Sequence, residues 1–134
     1  KIGINDLHST MGEGLPWMAK KITPEVYEQC YENILSRTKK QFPKCEILLI
    51  DPFYLSIDRD PESPRGKVLS LLPGYHAVVH RMSRKYKTRR IETHRMFQKL
   101  LKRHDADLFC PEPVHPNVIG HLAIADAVYD ALSR

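Results

Sequence analysis

The run Cys45-Glu46-Ile47-Leu48-Leu49-Ile50, closed by Asp51-Pro52-Phe53, decides the architecture. Its length is that of a strand, and all but Glu46 is apolar. A strand apolar on both alternating faces suits a parallel sheet covered on both sides. Pro52 cannot donate to a ladder, so the strand ends there. Upstream, Thr23-Pro24-Glu25 is a helix start: a capping hydroxyl, a proline at the first helical position and an early acid. Tyr27, Cys30, Tyr31, Ile34 and Thr38 then recur at helical spacing and predict one buried stripe. Arg37, Lys39 and Lys40 fall toward solvent near its end, and Pro43 closes it.

Downstream, Lys67 to Leu72 predicts one or two helical turns, interrupted by Pro73-Gly74. Tyr75, Val78, Val79, Met82 and Tyr86 form a second stripe, and Arg89 to Thr93 a short strand. Met96, Phe97, Leu100 and Leu101 make a third amphipathic helix. The last helix is expected to carry Leu122, Ala125, Val128, Tyr129 and Leu132 inward. At the other end, Lys1-Ile2-Gly3-Ile4 reads as the last part of a strand, turned by Asn5-Asp6. Strands alternating with helices predict an α/β fold, a parallel sheet with helices on both faces. In such sheets ligands bind at the carboxyl ends of the strands.

The 134 residues, 42% hydrophobic, read as a single domain with a real core. No apolar run approaches the roughly 20 residues of a membrane span. The three cysteines, Cys30, Cys45 and Cys110, lack CxxC pairing and are odd in number, so free buried thiols are expected. The net charge is +5, concentrated in Arg81 to Arg90. No zinc knuckle, phosphate loop or aromatic-stacking signature accompanies that run, so a solvated helix end is preferred to a nucleic-acid patch. A chain that opens inside a strand is expected to be a piece of a larger protein, with any signal peptide upstream.

Two long segments interrupt the alternation. His8 to Ile22 holds Trp17 and Met18, which either line a pocket or pin the loop to the core. In Tyr54 to Gly66, Asp58, Asp60 and Glu62 alternate without the spacing of a calcium loop, and a solvated loop is expected. His76 and His80 stand at i, i+4 but lack a third ligand, so no metal site is expected.

One stretch carries chemistry: Pro111-Glu112-Pro113-Val114-His115-Pro116-Asn117, running into Val118-Ile119-Gly120-His121. Prolines at 111, 113 and 116 fix φ and restrict the residues before them, so the loop can aim one imidazole. His115 has the side chain suited to proton transfer near neutral pH, and Glu112 lies three positions before it. The plain alternative is a surface histidine beside an unrelated acid.

Two separated motifs coincide. Gly3-Ile4-Asn5-Asp6 resembles the G-x-N-D block of the SGNH (GDSL-type) hydrolases. Val114-His115-Pro116-Asn117, with Gly120-His121 and an alanine-rich helix, resembles that family's final block, usually D-x-x-H-P. The resemblance spans the chain and implies a flavodoxin-like, three-layer α/β/α sandwich whose N-terminal strands are missing here. It implies ester hydrolysis by a serine nucleophile, with His115 as general base, Glu112 as the acid and Asn5 as oxyanion donor. Gly3, Asp6 and Val114 would stand in the oxyanion neighbourhood. It implies no cofactor and no metal. The partners implied are a small acyl or acetyl ester and the missing N-terminal segment, in cis or as a separate chain. Two departures stand out: position 112 is glutamate where the family has aspartate, and the nucleophile and glycine blocks are absent. Ser9, Ser36, Ser56, Ser63, Ser70, Ser83 and Ser133 carry no comparable motif. A non-catalytic binding module on the same fold is the competing reading.

Overall fold

The computed structural model describes residues 3–11 and 21–133. Its elements are α1 (Ile4–Thr10), α2 (Pro24–Gln41), β1 (Leu48–Ile50), α3 (Pro64–Tyr86), β2 (Arg89–Ile91), α4 (Thr93–Leu100), a 3-10 turn over Ala106–Leu108, and α5 (Val118–Leu132). The two strands pair in parallel, Leu48 opposite Arg89 and Ile50 opposite Ile91. A parallel pair needs a crossover, and α3 supplies it, touching both strands. The described part is therefore α/β, as the alternation predicts.

One core cluster joins Ile4 and Leu7 of α1, Tyr27, Tyr31 and Leu35 of α2, Leu49 of β1, and the inner face of α3 from Val68 to Met82. A second gathers Phe53, Leu55, Phe97, Leu101, Phe109 and Cys110. The stripe of α2 is thus Tyr27, Tyr31 and Leu35, whereas Cys30 is exposed and Ile34 is 54% exposed. The tyrosine rings choose this face: Tyr27 packs edge-on to Tyr31 at 5.2 Å and against Tyr75 at 5.3 Å. Cys45 is exposed as well, leaving Cys110 as the one buried thiol of the three.

Three further expectations are corrected. Ile4–Thr10 is a helix, not a strand end and turn; its buried apolar residues, Ile4 and Leu7, stand three apart. Gly3 leads into it at φ 118°, where a Cβ would lie 2.9 Å from the Tyr27 hydroxyl and 3.1 Å from Pro52. Lys1, Ile2, Trp17 and Met18 lie outside the described residues. Second, α3 runs unbroken through Pro73. The proline is exposed, while Leu69, Leu72, Tyr75, Val78, Val79 and Met82 are buried on the opposite side. Burial of that row, about 1.5–3 kcal/mol per large side chain, outweighs the roughly 3 kcal/mol cost of an interior proline. Third, α5 turns its larger apolar residues outward: Leu122, Tyr129 and Leu132 are exposed, whereas Ala123 and Ile124 pack on the second cluster. Both faces of this helix are apolar, so hydropathy alone does not choose between them.

The charged segments look inward to their own chain. Arg81 pairs with Glu28 at 2.5 Å, Lys85 with Glu32 at 2.9 Å, and Arg89 donates to the Ala131 carbonyl at 2.7 Å. In the acidic loop, Asp58 accepts from Ser63 Oγ at 2.7 Å and from the Asp60 N–H at 2.9 Å, and Asp60 accepts from the Glu62 N–H at 3.0 Å. These carboxylates close turns and lead into the Ser63 cap of α3.

A prediction follows from Pro73. Pro73→Ala restores the missing N–H without touching the buried row, so it should raise unfolding stability by about 1–3 kcal/mol in a denaturant titration. A loss of stability would mean that the proline favours the observed helix path.

Candidate active site

The residues that follow β1 form a buried, non-repetitive strip. Asp51, Pro52, Phe53, Tyr54, Leu55 and Ser56 are all buried although none is in a helix or strand. A buried loop must satisfy its backbone polar groups from elsewhere. This one does so with side chains from two helices. His76 of α3 donates from Nε2–H to the Pro52 carbonyl at 2.8 Å. His94 of α4 accepts the Tyr54 N–H on Nδ1 at 3.4 Å, and Gln98 donates to the Ser56 carbonyl at 2.9 Å. The Asp51 N–H reaches the Ile91 carbonyl of β2 at 3.1 Å.

This strip brings the two motif-bearing segments together. Gly3 lies against Pro52 at one end, and His8 of α1 packs edge-on to Tyr54 at 6.2 Å. At the other end the Leu55 N–H donates to the Pro113 carbonyl at 2.9 Å. Val114 packs on the cluster that holds Ile4 and Leu7. Asn5 stands exposed on the first turn of α1, with Asp6 half-buried beside it. Asn5 makes no hydrogen bond to either member of the acid–histidine pair among the described residues.

That pair is formed. Oε1 of Glu112 meets Nδ1 of His115, and the two residues also form an isolated antiparallel bridge. A carboxylate only accepts, so Nδ1 carries a proton, and in the neutral ring Nε2 keeps its lone pair. Glutamate's extra methylene is accommodated with both side chains well exposed. The loop beneath is closed by short contacts. Cys110 Sγ–H donates to the Glu112 carbonyl. Asn117 accepts the Gly120 N–H at 3.0 Å, donates to the Leu108 carbonyl at 3.1 Å, and caps α5. A Cβ on Gly120 would sit 2.3 Å from the Phe109 carbonyl oxygen, so only glycine fits there.

His76 does not join His80, which is exposed; its ring lies 5.3 Å from that of His94. Nothing local in the sequence signals this pairing, because the two histidines come from different helices. No group of three or more His, Cys, Asp or Glu side chains among the described residues could hold a metal. Burial, and then the charges of His76 and Arg59, push His94 down to about 4. His76 is also lowered, chiefly by burial. Asp51 is 3% exposed; one carboxylate oxygen meets Arg90 at 3.3 Å and the other has no hydrogen-bond partner. Burial raises Asp51 to about 6, against the pull of Arg90. A recess of about 850 Å³ lies away from this centre, between β2, α4 and the far end of α5. It opens where α5 stands off from α4, and no residue of the 111–117 loop lines it.

No family model matches this sequence, and no curated protein matches it. Solved structures do. A protein described as a GDSL-like lipase, from Parabacteroides merdae, superposes with a TM-score of 0.81 at 23% identity, covering 99% of this chain and 58% of its own. The acetylxylan esterase of Geobacillus stearothermophilus gives 0.79 at 25%, covering 99% and 57%. An α/β hydrolase from the Lake Arreo metagenome gives 0.78 at 22%, covering 98% and 57%. In fold, this chain is similar to the SGNH (GDSL-type) hydrolases. It spans less than three-fifths of the length of the SGNH-like structures it matches.

Two predictions follow. Gly120→Ala should cost about 2–4 kcal/mol of stability, because a Cβ must displace the Phe109 carbonyl under the histidine loop; calorimetry checks it. The second concerns pH. His94 is neutral when folded and titrates near 6.5 when unfolded, so its contribution is present above 6.5 and is lost as pH falls toward 4. Asp51 acts oppositely: its contribution is full below 3.8 and is lost as pH rises through 6. The two offset each other. Asp51→Asn should therefore steepen the loss of stability between pH 6.5 and 4, by about 1–2 kcal/mol after solvent screening, and His94→Gln should shift the slope the other way, toward a gain in stability as pH falls. Parallel pH–stability curves for parent and variants would refute this account of the strip.

Proposed function

We propose that this chain is the acid–base half of a serine ester hydrolase whose nucleophile lies ahead of it in the complete protein. The observation that carries the reading is the Glu112–His115 contact, made on a loop tied through Leu55 to the strip against which the G-x-N-D block packs. The solved esterase from Geobacillus stearothermophilus adds support: its catalytic mutants replace a serine near its N-terminus, an aspartate, and a histidine three positions after that aspartate. Glu112 and His115 have the same spacing.

The chemistry follows from the tautomer. Nε2 of His115 takes the serine proton as its oxygen bonds to the acyl carbon. The carbonyl π electrons move to oxygen, where the side-chain amide of Asn5 donates to the negative charge. Collapse breaks the ester C–O bond, and the imidazolium returns its proton to the leaving alcohol. Water, deprotonated by the same nitrogen, then releases the acid and the serine. Glu112 holds the ring and stabilises its cationic form. The substrate class is a small acyl or acetyl ester, with the His8–Ile22 and Tyr54–Gly66 segments shaping its pocket. Upstream strands would complete a three-layer α/β/α sandwich on this α/β portion.

The test is hydrolysis of p-nitrophenyl acetate by the complete polypeptide. His115→Ala should lower kcat about 10³-fold or more, and Asn5→Ala about 10²-fold, with stability unchanged for both exposed sites. Glu112→Gln should fall between them. Turnover that survives His115→Ala would defeat the reading, and ligand binding without turnover by the complete polypeptide would favour a binding module.

A further inference from the structure

His94, Phe97 and Gln98 stand at i, i+3 and i+4 and so share one face of α4. Phe97 is fully buried, its ring 4.9 Å from Phe53 of the strip and 6.1 Å from Phe109, where the histidine loop begins. Apolar packing brings strip and loop to one helix, but it is non-directional and does not fix the height at which they meet. The hydrogen bonds on either side of Phe97 do. His94 accepts the Tyr54 N–H at 3.4 Å and Gln98 donates to the Ser56 carbonyl at 2.9 Å. Leu55, between them, donates to the Pro113 carbonyl at 2.9 Å.

Residues 54–56 therefore work as a strand with two edges, although no strand lies beside them. One edge meets side chains of α4 and the other meets the histidine loop. Pro113 directly follows Glu112 and stands two residues before His115, so its carbonyl is where the strip holds the acid–histidine pair. The side chains of that pair are well exposed, so their placement rests on the backbone that carries them. A displacement of Tyr54 is passed through Leu55 to that backbone.

We propose that His94 is a positioning residue for the hydrolysis: its Nδ1, acting through Tyr54 and Leu55, sets the height of the His115 loop, with Gln98 fixing a second point on the same edge. The inference rests on the reading of His115 as general base, and it gives a role to a histidine that touches neither substrate nor reacting atoms. The role needs the neutral ring. A protonated imidazole donates from both nitrogens and would turn an N–H against that of Tyr54. Burial, then His76 from α3 and Arg59 from the segment after the strip, all oppose that protonation. Arg90 and Glu92 act in turn on His76. The acceptor therefore persists through the neutral range. A ring that only filled space would be replaced by phenylalanine without loss.

The experiment uses the complete natural polypeptide, with p-nitrophenyl acetate as substrate and amide exchange of Leu55 read by NMR. His94→Phe keeps a ring and removes the acceptor. His94→Asn returns one, because its amide oxygen, like Nδ1, is bonded to Cγ. His94→Phe should lower kcat roughly 10- to 100-fold with KM changed less than about twofold, and should speed exchange of the Leu55 amide. His94→Asn should recover kcat and Leu55 exchange to within about threefold of the parent. An unchanged kcat in His94→Phe overturns the proposal. So does a His94→Asn no better than His94→Phe, which is the result of lost packing alone. If His94→Phe does not fold, Gln98→Leu, which removes the donor to Ser56, decides on the same kcat, KM and Leu55 readouts. The two readings fail separately. Turnover indifferent to His115 defeats the hydrolase, while Leu55 exchange still shows whether His94 holds the loop. Turnover that depends on His115 but not on His94 defeats only the positioning.

Discussion

The structure depends on keeping an irregular strip of backbone, Asp51 to Ser56, buried without leaving its polar groups unpaired. Strand ladders cannot do this, because Pro52 stops the pairing after β1. The solution is to bring hydrogen-bonding side chains from outside: His76 from α3, and His94 and Gln98 from α4. Each unpaired group would cost about 1–3 kcal/mol. The strip in turn fixes Gly3 on one side and the Pro113 carbonyl on the other. The candidate centre is thus organised by the loop between its parts, more than by contact between the parts themselves.

The arrangement shows how a glutamate three residues before a histidine reaches its ring. Here the Cys110 thiol and the Asn117 cap gather the 109–117 backbone tightly, and the exposed side chains have room to bend.

Much of this was legible in the residues. Thr23-Pro24 announces α2, the strand expected over Arg89 to Thr93 is present as Arg89–Ile91 with Thr93 starting α4, and the proline loop holds its histidine beside the acid three positions earlier. What escaped has physical reasons. Pro73 reads as a breaker because local rules omit the six buried side chains that hold the helix across it. Ile4 and Leu7 are too few to show a period, so the residues of α1 read locally as a strand end. In α5 both faces are apolar, so hydropathy does not say which one meets the rest of the chain. The His76–His94 contact joins separate helices and has no local signature.

The central claim is that His115 and Glu112 serve a serine that this chain does not contain. The most direct measurement is to treat the complete natural polypeptide with a fluorophosphonate probe and locate the modified residue by peptide mass spectrometry. The account predicts one labelled serine on a peptide upstream of residue 1, with labelling abolished by His115→Ala. A label on Ser9 or any other serine of these 134 residues, or labelling indifferent to His115, would contradict it.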